Sequence, residues 1–263
     1  MKYRALLTGA SGGIGRAMAA ALAPHCAFLV LAGRDPSRLS AVKQQVEGSG
    51  AQCTVVVADL TSAEGRDAVA RAAPDGVNLL VNNAGASEFA SFAGQSDAAI
   101  ERILATNALA PMQLTRRLLP ALLAQPAAYI VNVGSIMGYL GYPGCAAYSA
   151  SKFALRGFSE ALRRELADTG VRVMYLAPRT TRTAMNSRAL DALNAELGNA
   201  ADEPQTAAGA LLSLLRRPAP ERLLGMPEAL FARINQIAPG LVDRALRRQL
   251  PHIRRHLAKE TSP

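Results

Sequence analysis

The chain has 263 residues, of which half are apolar and 19% are charged, a composition typical of globular proteins and not of disordered ones. No apolar run reaches the roughly 20 residues that a membrane-spanning helix needs, and no charged and apolar leader is recognisable at the start. The three cysteines show no metal-binding spacing, and their odd number argues against a disulfide framework. We therefore expect a cytoplasmic protein with reduced cysteines, no metal site and a single domain over residues 1–263.

Strand-like and helix-like segments alternate along the first two thirds of the chain. Apolar runs predict buried strands at Arg4–Thr8, Ala27–Ala32, Thr54–Ala58, Val77–Val81, Ala128–Val133 and Val171–Leu176, and Arg222–Gly225 is a candidate for a short seventh strand. Helical patterns cover Ile14–Leu22, Ser37–Glu47, Ser62–Ala72, Asp97–Leu123 and Tyr148–Ala167. Repeated strand–helix units predict an α/β fold, a Rossmann-like doubly wound parallel sheet with helices on both faces and ligands at the carboxyl ends of the strands.

The first predicted strand ends in a glycine-rich turn, Thr8-Gly-Ala-Ser-Gly-Gly-Ile-Gly15, which leads into a helix. Glycines at such a junction permit a tight turn and let the backbone approach a pyrophosphate. The N-terminus of the helix adds amide donors and a partial positive charge for phosphate groups. The turn therefore predicts a dinucleotide site, with a merely tight turn as the alternative.

Tyr148 and Lys152 stand four residues apart, which on a helix places a phenol and an ammonium group on one face. A phenol has an ordinary pKa of about 10, and a nearby cation favours the phenolate and lowers that value. The pair is therefore a candidate general acid/base. Alone, such a pair also suits a solvated helix face.

Further motifs follow in a fixed order. They are Gly9-x-x-x-Gly13-x-Gly15, Asp59-Leu60 after the third strand, Asn82-Asn83-Ala84-Gly85 after the fourth, and then Asn107, Ser135 and Tyr148-x-x-x-Lys152. In residue type, order and spacing they resemble the classical short-chain dehydrogenase/reductase family over roughly residues 3–183. The resemblance implies an oxidoreductase that interconverts a carbonyl and a secondary alcohol by hydride transfer with a nicotinamide cofactor.

The resemblance also implies residue roles. Tyr148 would exchange a proton with the carbonyl oxygen, and Ser135 would hydrogen-bond the same oxygen and polarise it. Lys152 would lower the pKa of Tyr148 and bind the ribose hydroxyls, while Asn107 would hold a water that links Lys152 to solvent. The residues expected to bind the cofactor are Gly9, Ser11, Gly13, Ile14, Gly15, Arg34, Asp59, Leu60, Asn83, Ala84, Gly85, Tyr148, Lys152, Pro178 and Thr183.

The end of the second strand bears on the choice of cofactor. NAD-binding members place an acidic residue there to take the ribose hydroxyls, whereas this chain has Gly33 followed by Arg34. Arg34, helped by Arg38, can pair with a 2′-phosphate, and Asp35 is better placed to cap the next helix. The sequence therefore favours NADP(H) over NAD(H).

The chain departs from the family pattern after the sixth strand. Where the family has Pro-Gly, this chain has Pro178-Arg179, and Arg179 either binds an anionic group on the substrate or points to solvent. Residues 184–204 fall where the family carries its mobile substrate lid. Apolar residues around Ser135–Pro143, with Phe89 and Met185, favour a hydrophobic substrate, and Cys145 nearby is best read as a buried neutral thiol.

The tail, about residues 227–260, is basic and amphipathic. From Arg216 to Pro263 there are ten Lys/Arg and four Asp/Glu, a net charge of +6. Pro239-Gly240 and Pro251 are expected to break the tail into short helices. Such a segment can lie on an anionic membrane, or pack on the domain or on a second subunit. A nucleic-acid partner is not expected, because the tail lacks interleaved aromatic residues.

Other functions stay open on the same fold. A cofactor-binding sensor or scaffold without turnover, and an NAD-dependent dehydrogenase, are the alternatives to an NADP(H)-dependent enzyme. Sugar epimerase or dehydratase chemistry uses related residues but usually needs a different glycine spacing. The family resemblance further implies a homo-oligomer, a dimer or a tetramer, that acts on a small molecule.

Overall fold

A computed structural model describes residues 2–260, with side chains for residues 2–258. Within this range the chain forms one parallel sheet in the order β3-β2-β1-β4-β5-β6-β7. The strands are β1 Tyr3–Thr8, β2 Cys26–Gly33, β3 Gln52–Val57, β4 Leu79–Asn82, β5 Ala128–Val133, β6 Val171–Ala177 and β7 Glu221–Leu223. The doubly wound parallel sheet is confirmed, including a seventh strand.

Helices cover both faces of the sheet. They are α1 Gly13–Leu22, α2 Pro36–Glu47, α3 Ala63–Arg71, α4 Asp97–Leu104, α5 Ala110–Leu123, α6 Ala146–Glu165, α7 Arg188–Glu196, α8 Pro204–Arg216, α9 Glu228–Ile237 and α10 Pro239–Glu260. Successive strand residues point to opposite faces, so that Leu7 packs with α1, α2 and α8 whereas Leu6 packs with α3, α5 and α6. Both faces of the sheet are therefore buried, as the continuous apolar strands predict.

A π-helical turn, Ala105–Leu109, interrupts the helix predicted at Asp97–Leu123. Pro111 has no N–H, so the carbonyl of Asn107, four residues earlier, has no α-helical donor at that step. The amide of Ala110 instead reaches back to the carbonyl of Ala105. The wider turn places Asn107 in the interior, where it is 1% exposed.

The prediction that Pro251 breaks the tail was wrong, because α10 continues through it. Pro251 lies on the exposed side of α10, where water can solvate the carbonyl that loses its N–H partner. Val242 and Ile253, on the inner side, are buried and hold the helix on both sides of the proline. Only Pro239 acts as predicted: it begins α10 after the short break at Ala238.

No helix among residues 2–260 is both long enough and apolar enough to cross a membrane.

Candidate active site

The glycine turn lies where the strand order reverses, between β1 and β4, at the carboxyl ends of both strands. Gly9 adopts a φ of +64°, which favours glycine. A Cβ on Gly13 would lie 2.6 Å from Cγ2 of Thr183, and one on Gly15 would lie 2.0 Å from the carbonyl oxygen of Gly9. The turn is therefore closed to side chains, and it brings Thr183 beside the loop.

Asn83 supports the glycine turn from the end of β4. Its Nδ2 donates to the carbonyl oxygens of Thr8 at 3.0 Å and Gly9 at 3.1 Å. The Oγ1 of Thr8 accepts from the backbone N–H groups of Asn83 at 3.0 Å and Ala84 at 3.1 Å. Sequence reasoning did not single out Thr8, although a polar residue at the end of an apolar strand was the available signal.

The glycine turn packs closely against the end of β2. A Cβ on Gly33 would lie 3.0 Å from the Oγ of Ser11, so a larger residue would push into the glycine turn. Arg34 is exposed. Asp35 caps α2, as predicted, by accepting from the backbone N–H of Arg38 at 3.0 Å. Arg38 forms a salt bridge with Asp35 at 3.3 Å. Arg34, in contrast, has no carboxylate of a described residue within salt-bridge distance.

Asp59, just after β3, is oriented by its own turn. Its Oδ1 accepts from the N–H and the Oγ1 of Thr61, each at 2.9 Å. These hydrogen bonds, with a smaller contribution from the charge of Arg34, lower the pKa of Asp59. Leu60, the next residue, is 8% exposed. Asp59 is thus an ionised acceptor at the same edge of the sheet as the glycine turn.

Ser135, Tyr148 and Lys152 meet beside this edge. Ser135 follows β5, and its hydroxyl lies near enough to the phenol of Tyr148 on α6 to influence the pKa of that phenol. Lys152, one turn later, is 4% exposed. Its Nζ donates to the carbonyl oxygen of Val133 at 3.1 Å and lies 5.7 Å from the ring centroid of Tyr148.

Burial sets the protonation states of this pair. It raises the pKa of Tyr148 to about 12, against the hydrogen bond with Ser135, which acts in the opposite direction. Burial lowers the pKa of Lys152 to about 8. The pKa of the phenol is therefore raised, not lowered as the sequence predicted, because removal from water outweighs the favourable contacts. At neutral pH Tyr148 carries the proton that a carbonyl oxygen would receive.

Asn107 connects the loop after β4 to the catalytic helix. Its Oδ1 accepts from the N–H of Ala86 at 2.7 Å, and its Nδ2 donates to the carbonyl oxygen of Ala86 at 2.8 Å and to the Oγ of Ser151 at 2.9 Å. Ser151 in turn donates to the carbonyl oxygen of Tyr148 at 2.6 Å. The side-chain amide of Asn107 is thus used to hold the loop after β4 against α6.

Tyr175, a residue that the sequence did not single out, contacts the backbone of both Ser135 and Lys152. Its hydroxyl accepts from the N–H of Ser135 at 3.3 Å and lies 3.2 Å from the carbonyl oxygen of Lys152. The side chain of Tyr175 packs directly against Gly134 and Gly138. A Cβ added to either glycine would lie within 2.3 Å of an atom of this side chain. Tyr175 therefore fixes the loop after β5 against α6. The two glycines near Ser135 were the only sequence signal.

Arg179 does not point to solvent, so that alternative was wrong. Its guanidinium pairs with Asp202 at 2.7 Å and Glu228 at 3.2 Å, and it donates to the carbonyl oxygen of Met226 at 3.2 Å. The arginine side chain is 15% exposed. The pKa of Arg179 is raised above its usual value, mainly by the hydrogen bond with Asp202. Arg179 joins the loop after β6 to α9.

Apolar residues cover Tyr148. Phe89, Cys145, Leu193 of α7 and Ile253 of α10 form a buried cluster, and Met137, Tyr142, Tyr148 and Leu257 pack against it. Met185, also predicted for the pocket, is 46% exposed. Burial raises the pKa of Cys145 to about 12, so the thiol is neutral. Residues of α10 thus pack beside Tyr148, a contribution that the sequence did not predict.

The fold and the site define a class: an oxidoreductase of the Rossmann type, with a dinucleotide turn and a Ser–Tyr–Lys set beside it. Residues 3–194 match the family described as short chain dehydrogenase. The chain belongs to the classical short-chain dehydrogenase/reductase family.

Individual relatives agree with this assignment. The ketoacyl reductase HetN of Nostoc sp. is 32% identical over 258 residues, which cover 92% of this chain and 87% of the relative. A sulfoacetaldehyde reductase of Chromohalobacter salexigens is 40% identical over 65% of this chain and 70% of its own length. A Burkholderia phymatum family member in complex with NAD superposes with a TM-score of 0.82 at 25% identity, over 91% of this chain and 95% of that one. A Sphingobium yanoikuyae short-chain dehydrogenase with NADPH gives a TM-score of 0.77 at 27% identity, over 92% and 96%.

Proposed function

We propose that the protein is an NADP(H)-dependent oxidoreductase that interconverts a carbonyl and a secondary alcohol, with Tyr148 as the general acid/base. The observation that carries the proposal is the meeting of Ser135, Tyr148 and Lys152 beside a glycine turn closed to side chains. The cradle at Gly9, Gly13 and Gly15 fits a pyrophosphate, and the cofactor would supply or accept the hydride.

The residues of the chain provide proton transfer and positioning. In reduction, the protonated Oη of Tyr148 gives its proton to the carbonyl oxygen as negative charge develops there. Ser135 donates a hydrogen bond to the same oxygen. The ammonium of Lys152 stabilises the phenolate that results. In oxidation, the deprotonated Oη of Tyr148 accepts the proton of the alcohol, and the charge of Lys152 favours this phenolate form.

Replacing Tyr148 by Phe tests the mechanism. The ring and its packing stay while the proton donor is lost, so we expect kcat to fall by about 10²–10⁴-fold. Fluorescence titration should show the Kd for NADPH within a few-fold of that of the unchanged protein. Tyr129→Phe, on β5, is the matched control and should leave both values unchanged. Equal turnover by Y148F would contradict the mechanism. Absence of turnover by the unchanged protein across a panel of aldehydes and ketones would favour a sensor instead.

Arg34 supports the preference for NADP(H), because it is exposed at the end of β2 and forms no salt bridge with any described residue. We expect Arg34→Ala to raise the Kd for NADPH by about 10- to 100-fold, the worth of a charge-assisted pair with the 2′-phosphate. The Kd for NADH should stay the same, since NADH has no such phosphate. Arg38→Ala is the control, because Arg38 pairs with Asp35. Tighter binding of NADH than of NADPH by the unchanged protein would overturn the preference.

A hydrophobic carbonyl compound is the proposed substrate class. The cluster over Tyr148 is apolar, and a groove of about 430 Å³ lies between the start of α6 and α10. Its lining residues are Gly141, Tyr142, Pro143, Ala146, Ser149, Asp243, Leu246, Arg247 and Leu250. Arg179 is engaged with two carboxylates, which partly neutralise its charge and disfavour its use for an anionic substrate group. Residues 184–204, which include α7, are the proposed lid.

We further propose a cytoplasmic location and assembly into a dimer or tetramer, as is common in the family. The three free cysteines support a reducing compartment, and sedimentation analysis measures the assembly.

A further inference from the structure

The outer face of α10 carries unpaired positive charge. Its inner face is buried through Val242, Ile253 and His256. The exposed arginines of α10 that lie outside the groove facing α6 and have no salt bridge to any described residue are Arg244, Arg248 and Arg254. Asp243 is the single acidic residue of α10 whose side chain the structure describes. The outer face therefore presents a positive field to solvent.

An apolar patch adjoins this basic face at the junction of α9 and α10. Its members and their exposed fractions are Met226 66%, Leu230 49%, Phe231 40%, Ile237 86% and Leu241 58%. Leu230 and Ile237 are seven residues apart on α9 and so share one face. Exposed large apolar side chains grouped in this way mark interaction sites.

The patch and the charges form one surface. Leu241, Arg244 and Arg248 follow at steps of three and four residues, which places them in one row along α10. The apolar end of that row lies at the start of α10, four residues after Ile237, and the N–H of Leu241 donates to the carbonyl oxygen of Ala238 in the short break between the two helices. Apolar side chains with basic residues directly beside them suit the boundary between lipid headgroups and acyl chains.

We propose that the outer face of α9 and α10 binds an anionic lipid surface, with the apolar patch among the acyl chains and the arginines on the headgroups. A second copy fits less well, because a two-fold contact through this surface brings two basic rows into one interface, with Asp243 as the single described acidic side chain of each α10 to offset them. A nucleic acid would pair with the arginines but would leave the apolar patch in water. Anionic lipid satisfies both parts.

Co-sedimentation of the full chain with vesicles tests the proposal. Vesicles of phosphatidylcholine with about 30% phosphatidylglycerol should bind the protein, whereas vesicles of phosphatidylcholine alone should bind it at least 10-fold more weakly. Raising the salt from about 0.1 M to about 1 M should weaken the binding, since screening acts on exposed charges. No binding to the anionic vesicles, or equal binding to both kinds, would overturn the proposal.

Matched variants locate the surface. The pair Arg244→Gln and Arg248→Gln should weaken vesicle binding roughly 30-fold, and the pair Ile237→Ser and Leu241→Ser should also weaken it. The control pair Arg71→Gln and Arg116→Gln removes exposed, unbridged charges on α3 and α5 and should have no effect. An equal loss of vesicle binding in the control pair would contradict the assignment. It would also be contradicted if the unchanged protein bound no vesicles and formed a dimer that the pair I237S/L241S dissociates. All of these positions are exposed, so circular dichroism should show an unchanged fold.

Discussion

Lys152 shows the conflict between stability and chemistry at a single residue. Its side chain is 4% exposed, and its Nζ donates a hydrogen bond to the carbonyl oxygen of Val133. Burial of an ammonium group in this way destabilises the folded state. The same ammonium lies one turn from the phenol of Tyr148, where a positive charge favours the phenolate. We infer that the lysine is retained for that charge, at the expense of stability.

Lys152→Met should therefore make the protein more stable and inactive. Burial lowers the pKa of Lys152 from 10.5 to about 8, which means that the charged lysine destabilises the folded state by about 3 kcal/mol. The substitution removes this cost, but it also removes the hydrogen bond to Val133, which contributes about 1 kcal/mol of stability. Below pH 8 both states carry the charge, and the full burial penalty applies. As the pH rises from 8 to 10.5 the folded state loses its proton first, so the penalty disappears.

Urea denaturation at pH 7 and at pH 10.5 measures this effect. We expect a gain of about 2 kcal/mol for K152M at pH 7, which should decline towards pH 10.5. Ser149→Ala, three residues earlier on α6, serves as a control without a titrating group. A gain that is the same at both pH values, or a loss at pH 7, would contradict the assigned cost of the buried charge.

Among elements, the loop after β6 and helix α9 depend on one ion-pair group. Arg179 contacts two carboxylates that are 15% and 27% exposed, those of Asp202 and Glu228. Its stem also fills the space over Gly225, where a Cβ would lie 2.2 Å from Cδ of the arginine. Arg179 therefore acts as a structural link between elements in this chain.

Arg179→Ala should leave both carboxylates poorly solvated and unpaired. We expect a loss of about 2 kcal/mol in the free energy of unfolding, below the 3–5 kcal/mol of fully buried pairs because these groups are partly exposed. Arg182→Ala, whose pair with Glu203 is about two-thirds exposed, should change stability by less than about 1 kcal/mol. Denaturant titration of both variants measures the difference. If R179A had unchanged stability and a higher KM only for anionic substrates, Arg179 would be assigned to substrate binding and not to this structural role.

The same elements show how far the sequence alone reaches. The strands and the glycine turn were predictable because their signals are local: apolar runs and closely spaced glycines. The partners of Arg179 lie 23 and 49 residues away, and no local pattern pairs them. Tyr175 is 40 residues from Ser135, so its place beneath the catalytic loop depends on the register of β5 and β6. Pro251 was misjudged because its exposure follows from packing and not from periodicity.

Across the whole molecule, α10 connects the proposed lid to the active site. Ile253 of α10 lies in the buried cluster with Leu193 of α7 and Phe89, and Leu257 reaches Gly144 just before α6. Glu196, the last residue of α7, contacts His252 at 2.6 Å, His256 at 2.7 Å and Arg255 at 3.1 Å. The C-terminal helix therefore holds α7 over Tyr148 by apolar contacts and by one carboxylate.

Glu196→Gln should loosen this connection in a way that depends on pH. Hydrogen bonds from His252 and His256, with the charge of Arg255, lower the pKa of Glu196 from 4.5 to about 2. A carboxylate whose pKa is lowered on folding stabilises the fold fully above pH 4.5, and this contribution disappears as the pH falls from 4.5 to 2. We therefore expect the Tm of E196Q to lie a few degrees below that of the unchanged protein at pH 6, with a smaller difference at pH 3.

Thermal unfolding at both pH values measures the effect, and limited proteolysis shows where it acts. Cleavage within residues 184–204 should be faster in E196Q, and the KM for a hydrophobic carbonyl substrate should rise, because α7 spends more time away from Tyr148. Glu47→Gln, which removes an exposed pair with Lys43 on α2, should leave cleavage and KM unchanged. A Tm difference that is equal at pH 6 and pH 3 would show that the carboxylate does not hold α7. Unchanged cleavage would assign the lid to the apolar contacts of Ile253 and Leu257 alone.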